Sequence, residues 1–398
     1  MKTITKKQPK SVGSPVAGNV VRLFVGVLFI FSGLIKLNDP VGTQIKLTEY
    51  FEVFAADLPA LGGLFHALIP LALGLAVVLC VAEVVLGVAL LVRYRLRATL
   101  WVLLALIVFF TFLTFYSAWF NKVTDCGCFG DAIKLTPWQS FGKDVLLLGL
   151  ILWLFAGRNR PGAETGSRAK AAVVWGSVLA SVAVALYAIF YLPVIDFLPY
   201  KKGASIPGNM KLPPGATPDV YETMYTMKHA KTGEQKELSD KVYIDSGIWK
   251  DANWQIAATA EPRLVQQGVK PKITDFAVHT ADGQDITQEV FKGSKLLIVI
   301  ADAQKSNKAG LAKIGDLVKG LAGKNVTPLF LTATDEATFE AFRHEFQWSA
   351  PYYFTDATVL KTMVRTNPGA LLLKDGTVLD KWPAAALPSA ETVLKHPL

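Results

Sequence analysis

The chain has 398 residues, 52% of them apolar and only 18% charged, and a net charge of +9. Soluble domains carry about a quarter charged residues, and here the apolar positions crowd into the first 195, which excludes a single soluble globule. With no zinc-ligand spacing, no recognition-helix pattern and no Gly-rich phosphate loop, the basic balance reads as membrane topology; no nucleic acid and no metal is expected.

A span needs roughly 20 apolar residues to cross the hydrocarbon. Five segments qualify: Val20–Leu37, Ala67–Val92, Leu96–Phe120, Phe141–Phe155 with its flanks, and Ala171–Val194. The fourth has the shortest apolar run and is expected to begin inside Thr136–Lys143. Eleven Lys and Arg sit in the tail and in the loops on one side, against four (Lys46, Lys122, Lys134, Lys143) on the other. By the positive-inside rule the N-terminus is cytoplasmic and everything after Asp196 lies outside. Span one reads as an uncleaved signal anchor.

Beyond the spans, Leu198–Pro218 is a Pro- and Gly-rich loop, and Val220–Ile244 alternates as a small strand unit. From Ile273 strands and helices alternate: Lys295–Ile300, Asn307–Leu321, Pro328–Thr332, Glu336–Phe346, Tyr352–Phe354, Val359–Arg365, then Ala370–Lys374 and Thr377–Trp382 around an Asp375-Gly376 turn. The domain organisation is therefore a tail (1–17), a membrane domain (18–157), a loop with the fifth span (158–195), a linker with a strand-rich unit (196–265) and an α/β domain (266–398).

The chain has three cysteines, Cys80, Cys126 and Cys128. Cys126-Gly127-Cys128 falls in the loop between spans three and four, outside, where disulfides persist. Two residues fully extended reach roughly 7 Å, so closing that bond needs a bend, which Gly127 permits. Such a tight ring is exchangeable rather than a useful staple. Redox exchange, a local structural clip and metal ligation all remain open for the pair. Cys80, deep in span two, reads as a small buried hydrophobe remote from that loop. Glu83 is an intramembrane acid that needs a partner, for which Arg22 near the start of span one is the choice. It reads equally as a polar tie between helices and as a proton relay or quinone contact. Lys36, at the end of span one, either snorkels to the interface or lends a cation to the cysteine loop.

These residues resemble the DoxX-like/MauE family of four-helix membrane proteins, over about residues 18–157. The resemblance rests on Gly33–Pro40, on Glu83 with Leu86-Gly87, and on Asp125-Cys126-Gly127-Cys128-Phe129-Gly130. Asp39-Pro40-x-Gly42 and Asp131–Asp144 suggest the subgroup known in Bacteroidetes as DoxX family proteins. Members are implicated in disulfide formation in periplasmic partners (MauE, in methylamine dehydrogenase maturation) or in quinone-linked electron transfer (DoxX). The resemblance thus implies Cys126 and Cys128 as the redox pair; Glu83 and Lys36 stay candidate site residues on the reading above. A quinone is the cofactor it suggests, with a periplasmic or envelope protein as partner. Residues 270–398 resemble a thioredoxin-like domain of the TlpA or peroxiredoxin type, with Asn367-Pro368-Gly369 where the cis-proline belongs. The two positions that should be cysteine are Gln304 and Asn307, so the domain is degenerate and cannot do dithiol chemistry.

The expected architecture is an α-helical membrane bundle, a four-helix DoxX/MauE-like core plus one span, followed by an exported α/β thioredoxin-like domain. The expected function is an inner-membrane protein whose CxC loop supports maturation of envelope proteins by thiol–disulfide exchange or electron transfer. The alternative is a non-catalytic anchor or assembly factor that binds an envelope partner through its α/β domain.

Overall fold

The computed structural model describes residues 15–123, 127, 129–157, 167–258, 261–266 and 268–397. Among them, five helical segments are long and apolar enough to cross a membrane: Val16–Asn38, Pro59–Leu91, Leu96–Phe120, Pro137–Ala156 and Arg168–Phe190. All five expected spans are helical, as a chain in lipid must be to satisfy its backbone groups. The boundaries shift by a few residues. The second segment starts eight residues earlier than its apolar run, and the fifth ends at Phe190.

α1 (Pro15–Asn38) ends at Asp39-Pro40, and α2 (Pro40–Asp57) begins at once. The reason is local. Proline cannot continue a helix but suits the first position of a new one, and the Asp39 carboxylate accepts from the Gly42 N–H at 2.8 Å as its cap. α3 (Gly62–Leu68) and α4 (Ala72–Leu91) follow, linked by a 3-10 turn at Ile69–Leu71. α5 (Leu96–Phe120) runs back and α6 (Pro137–Ala156) returns. Thr136 and Gln139 form a reciprocal capping box that fixes the start of α6 where the sequence places it. α7 (Arg168–Phe190) packs against α4 and α1.

Glycines set the closest helix pair. A Cβ on Gly87 would lie 2.7 Å from the Gly26 carbonyl oxygen, and one on Gly33 would lie 2.9 Å from the Val84 nitrogen. Small residues on both helices let the α1 and α4 backbones touch, the usual basis of close packing in membranes. That contact fixes the register of the pair and sets Lys36 opposite Glu83.

The second half contains two sheets. After the short α8 (Ile206–Asn209), the strands β1 (Val220–His229), β2 (Gln235–Ser239), β3 (Trp254–Ile256) and β4 (Glu261–Gln266) form a small antiparallel sheet, with α9 (Asp240–Ser246) between β2 and β3. Val242, read from the sequence as part of a strand, lies in α9, whose start is capped by Ser239.

A short α10 (Thr287–Val290) leads into β5 (Ser294–Ile300), α11 (Lys308–Leu321), β6 (Thr327–Thr332), α12 (Glu336–Glu345), β7 (Tyr352–Phe354), α13 (Ala357–Met363), β8 (Gly369–Lys374), β9 (Thr377–Pro383) and α14 (Ala390–Leu394). The sheet order is β7-β6-β5-β8-β9, parallel across β7, β6 and β5 and antiparallel across β5, β8 and β9. β5 is buried on both faces. Leu297 and Val299 join one core layer, and Leu296, Ile298 and Ile300 the other, so its continuous apolar run is the signature of a central strand. Asp375 and Gly376 both have positive φ in the hairpin turn between β8 and β9. The Asn367–Pro368 bond is cis. Tyr200 and Ile206, expected in a linker, are buried in the first of these core layers, Leu198 is buried as well, and the Ile206 N–H bonds the Gly376 carbonyl.

Candidate functional site

A cavity of about 460 Å³ opens where the bundle meets the α/β body. Its floor is an ion pair. Lys36 Nζ sits 2.5 Å from Glu83 Oε1, while the other Glu83 oxygen accepts from Ser32 Oγ at 2.8 Å. Ser32 lies one turn before Lys36 on α1, so one helix face supplies both donors. The Lys36 ammonium also lies 4.6 Å from the centre of the Phe110 ring. Glu83 is 2% exposed and Lys36 8%, so both charges are withdrawn from water and each answers the other.

Two expectations are corrected here. Lys36 does not snorkel to an interface; it turns inward to Glu83, a carboxylate that desolvation leaves in need of a cation. Glu83 does not pair with Arg22, because the glycine contact between α1 and α4 brings Lys36, more than three turns further along α1, to its level.

Cys80, one turn from Glu83 on α4, lines the same cavity, its thiol 3.9 Å from Thr43 Oγ1 at the start of α2. Gly127, the residue between the other two cysteines, lines it as well, with positive φ and the Lys46 side chain against it. Thr43 and Lys46 are one turn apart on α2. Cys80 is therefore not remote from the loop, as its depth along span two suggests; α2 folds over it and bridges the two. Cys126 and Cys128 themselves lie outside the described residues, as does Asp125.

The far wall comes from α5 and α6. Buried Asp144 accepts from Thr114 Oγ1 at 3.0 Å and pairs with Lys143, whose ammonium lies 5.5 Å from the Phe129 ring centre. The mouth is polar and shared between the two halves of the chain. Arg365, at the end of α13, sets its Nε 3.0 and 2.9 Å from the two Asp39 oxygens and its Nη2 2.7 Å from Oδ2. The same Nη2 reaches Asp131 Oδ2 at 3.3 Å, and Nη1 donates to the Lys361 carbonyl at 2.8 Å. Asp39 thus serves the α2 cap and the arginine together.

The sequence reading missed α2, Arg365 and the role of Asp39. The Asp-Pro step is a helix-start signal that would have located α2. Nothing local marks Arg365, since its partners lie 326 and 234 positions away.

In the α/β body, Asn307 caps α11, its side chain accepting from the Gly310 N–H at 3.0 Å, and its own N–H bonds the Asn367 carbonyl. Gln304 lies in the turn just before it. The two positions expected to have lost cysteine therefore sit just before and at the cap of a helix whose first turn, at Gly310, packs against Pro368. Among the described residues, no group of three or more His, Cys, Asp or Glu is arranged to hold a metal ion.

No curated protein matches the chain. Its first 157 residues are a different matter. The arrangement of apolar helices around the Lys36–Glu83 pair belongs to a stretch, residues 14–157, that matches the family model described as methylamine utilisation protein MauE.

Proposed function

We propose that the protein is an inner-membrane thiol–disulfide exchange protein, with its N-terminus cytoplasmic and its α/β body in the periplasm. One observation carries the reading: Gly127, between Cys126 and Cys128, lines a cavity whose floor is the buried Lys36–Glu83 pair. A partner thiolate attacks the Cys126–Cys128 disulfide and forms a mixed disulfide, and the partner's second thiol displaces it. The partner leaves oxidised by two electrons and the loop is left as a dithiol. Regenerating the disulfide requires an acceptor of two electrons and two protons.

A quinone fits the cavity by size and by lining. Its volume falls within the roughly 300–1,000 Å³ of small-molecule sites, with Phe29, Ile107, Phe110 and Leu113 as apolar walls and a cation at the floor. When bound, a quinone would supply the electron sink. Lys36, with Ser32 and Glu83 behind it, holds a donor proton in a fixed direction, and the apolar walls exclude water from it.

The α/β body is read as a degenerate thioredoxin-like domain. Residues 196–398 contain no cysteine, and the asparagine at the second expected position is committed to capping a helix. That supports a recognition role beside the exchange loop. It equally suits the second reading, an anchor or assembly factor that binds an envelope partner without redox chemistry.

Trapping distinguishes the two. Expressed in its bacterial host, a Cys128→Ser variant of the full chain is expected to accumulate a mixed disulfide through Cys126, or Cys126→Ser one through Cys128. If neither variant captures a partner and the double variant supports envelope-protein maturation like wild type, exchange is refuted and the anchor reading stands.

A further inference from the structure

The cavity has a cover, and the cover is the α/β body itself. Thr358, Thr362 and Arg365, on one face of α13 and the residue pair that follows it, form part of the lining. Three ties hold that body over the mouth. Arg365, with only 3% of its side chain exposed, bridges Asp39 and Asp131 on the membrane side. Asn38, the last residue of α1, exchanges two hydrogen bonds with the backbone of Ile195, at 2.8 and 2.9 Å. Lys381 of β9 pairs with Asp196 at 2.8 Å, in the segment that leaves α7.

The ties differ in kind. Asn38 and Lys381 bind the connecting segment, at Ile195 and Asp196, which covalent continuity holds near the mouth in any case. Arg365 is the one that joins α13 to the cavity rim across the chain. A buried guanidinium shared by two carboxylates makes a directional, multiply hydrogen-bonded contact. Its desolvation is answered only while both aspartates are in place, so the contact is strong when complete and unfavourable when one side is lost. That is the behaviour of a latch.

We propose that the α/β body is a lid on the membrane cavity, pivoting on the connecting segment at Ile195 and Asp196 and latched by Arg365 against Asp39 and Asp131. The latch then sets how readily the floor of the cavity is reached from the aqueous side. This holds whether or not the cysteine loop carries redox chemistry, because it concerns access to the cavity alone.

The test uses Cys80, which lines the cavity and is fully buried. In a full-length Cys126→Ser/Cys128→Ser background it is the only thiol, since the chain has three cysteines. In nanodiscs it is labelled with sulfonatoethyl methanethiosulfonate, an anionic reagent that does not cross lipid. Arg365→Glu, which sets a third carboxylate between the two aspartates, is expected to raise the labelling rate at least tenfold. Arg365→Lys, which keeps the charge but loses the fork, should give a smaller rise than Arg365→Glu. Lys305→Glu, which alters an exposed ion pair elsewhere on the body, should not change it. If Arg365→Glu fails to fold, Arg365→Gln is expected to give a three- to tenfold rise. An unchanged rate in the Arg365 variants, or an equal rise in Lys305→Glu, overturns the proposal.

Discussion

Replacing Lys36 by methionine leaves Glu83 buried with Ser32 as its partner among the described residues, and the structure sets the scale of the loss. At 2.5 Å and an effective dielectric near 20, the gross attraction of the pair is about 7 kcal/mol. Desolvation of both charges offsets most of this, so the pair as a whole contributes little net stability compared with two apolar side chains. Removing one partner is a different perturbation, because the remaining charge keeps its desolvation cost without its counter-ion. We expect Lys36→Met to destabilise the full chain by about 3–5 kcal/mol, and Glu83→Met by a similar amount. The double variant Lys36→Met/Glu83→Met should lie within about 2 kcal/mol of wild type, its residual cost being the hydrogen bond that Ser32 loses. Reversible unfolding in mixed detergent micelles, titrated with SDS, measures all four corners of the cycle. Additivity of the two single substitutions to within about 0.5 kcal/mol would refute the argument, since it would mean that neither group answers the other's burial.

Gly87→Ala should cost about 1–3 kcal/mol in the same assay, because its methyl group meets the Gly26 carbonyl at 2.7 Å and the helices must separate; an unchanged stability would show that α1 and α4 do not pack as described. Lys381 bears on pH. Burial lowers its pKa below the ordinary 10.5, with Asp196 opposing the shift in part, so the unfolded chain binds more protons in the interval between the two values. Stability is therefore expected to rise as pH climbs through that interval towards 10.5 and to be lost again as pH falls through it. Lys381→Met should flatten this rise in thermal midpoints, and a profile identical to wild type would exclude Lys381 as its source. A Gln304→Cys/Asn307→Cys variant is expected to form a reducible intramolecular disulfide, for about 1 kcal/mol of lost helix capping; free thiols after oxidation of a folded domain would show that the two positions do not face each other.

The spans and the strand–helix alternation of the second half were legible because each rests on a local pattern. A run of about 20 apolar residues, or a buried run such as KLLIVI bounded by turn residues, fixes its element wherever its neighbours lie. The start of α6 at Pro137 falls inside the Thr136–Lys143 stretch expected to hold it, and the capping box there is an equally local signal that went unread. What the sequence did not carry was pairing across distance. Glu83 announced that it needed a cation, yet Arg22 and Lys36 are both basic residues of span one, and only the glycine contact between α1 and α4 decides between them. Depth along a helix misled for Cys80 in the same way, since it takes no account of α2 folding alongside. Arg365 looks like any basic residue at the end of a short helix until its two aspartates are brought beside it by the fold.

Asp39 has a consequence that reaches beyond the mouth of the cavity. One carboxylate starts α2 and also grips the guanidinium, so the first turn of that helix and the seating of the α/β body draw on a single group. Thermodynamic linkage makes their dependence mutual: whatever tightens or loosens the start of α2 must change the affinity of the body for the bundle by the same factor. Thr43 and Lys46 of α2 stand beside Cys80 and Gly127, so only one helical turn separates the cavity wall from the group that seats the α/β body.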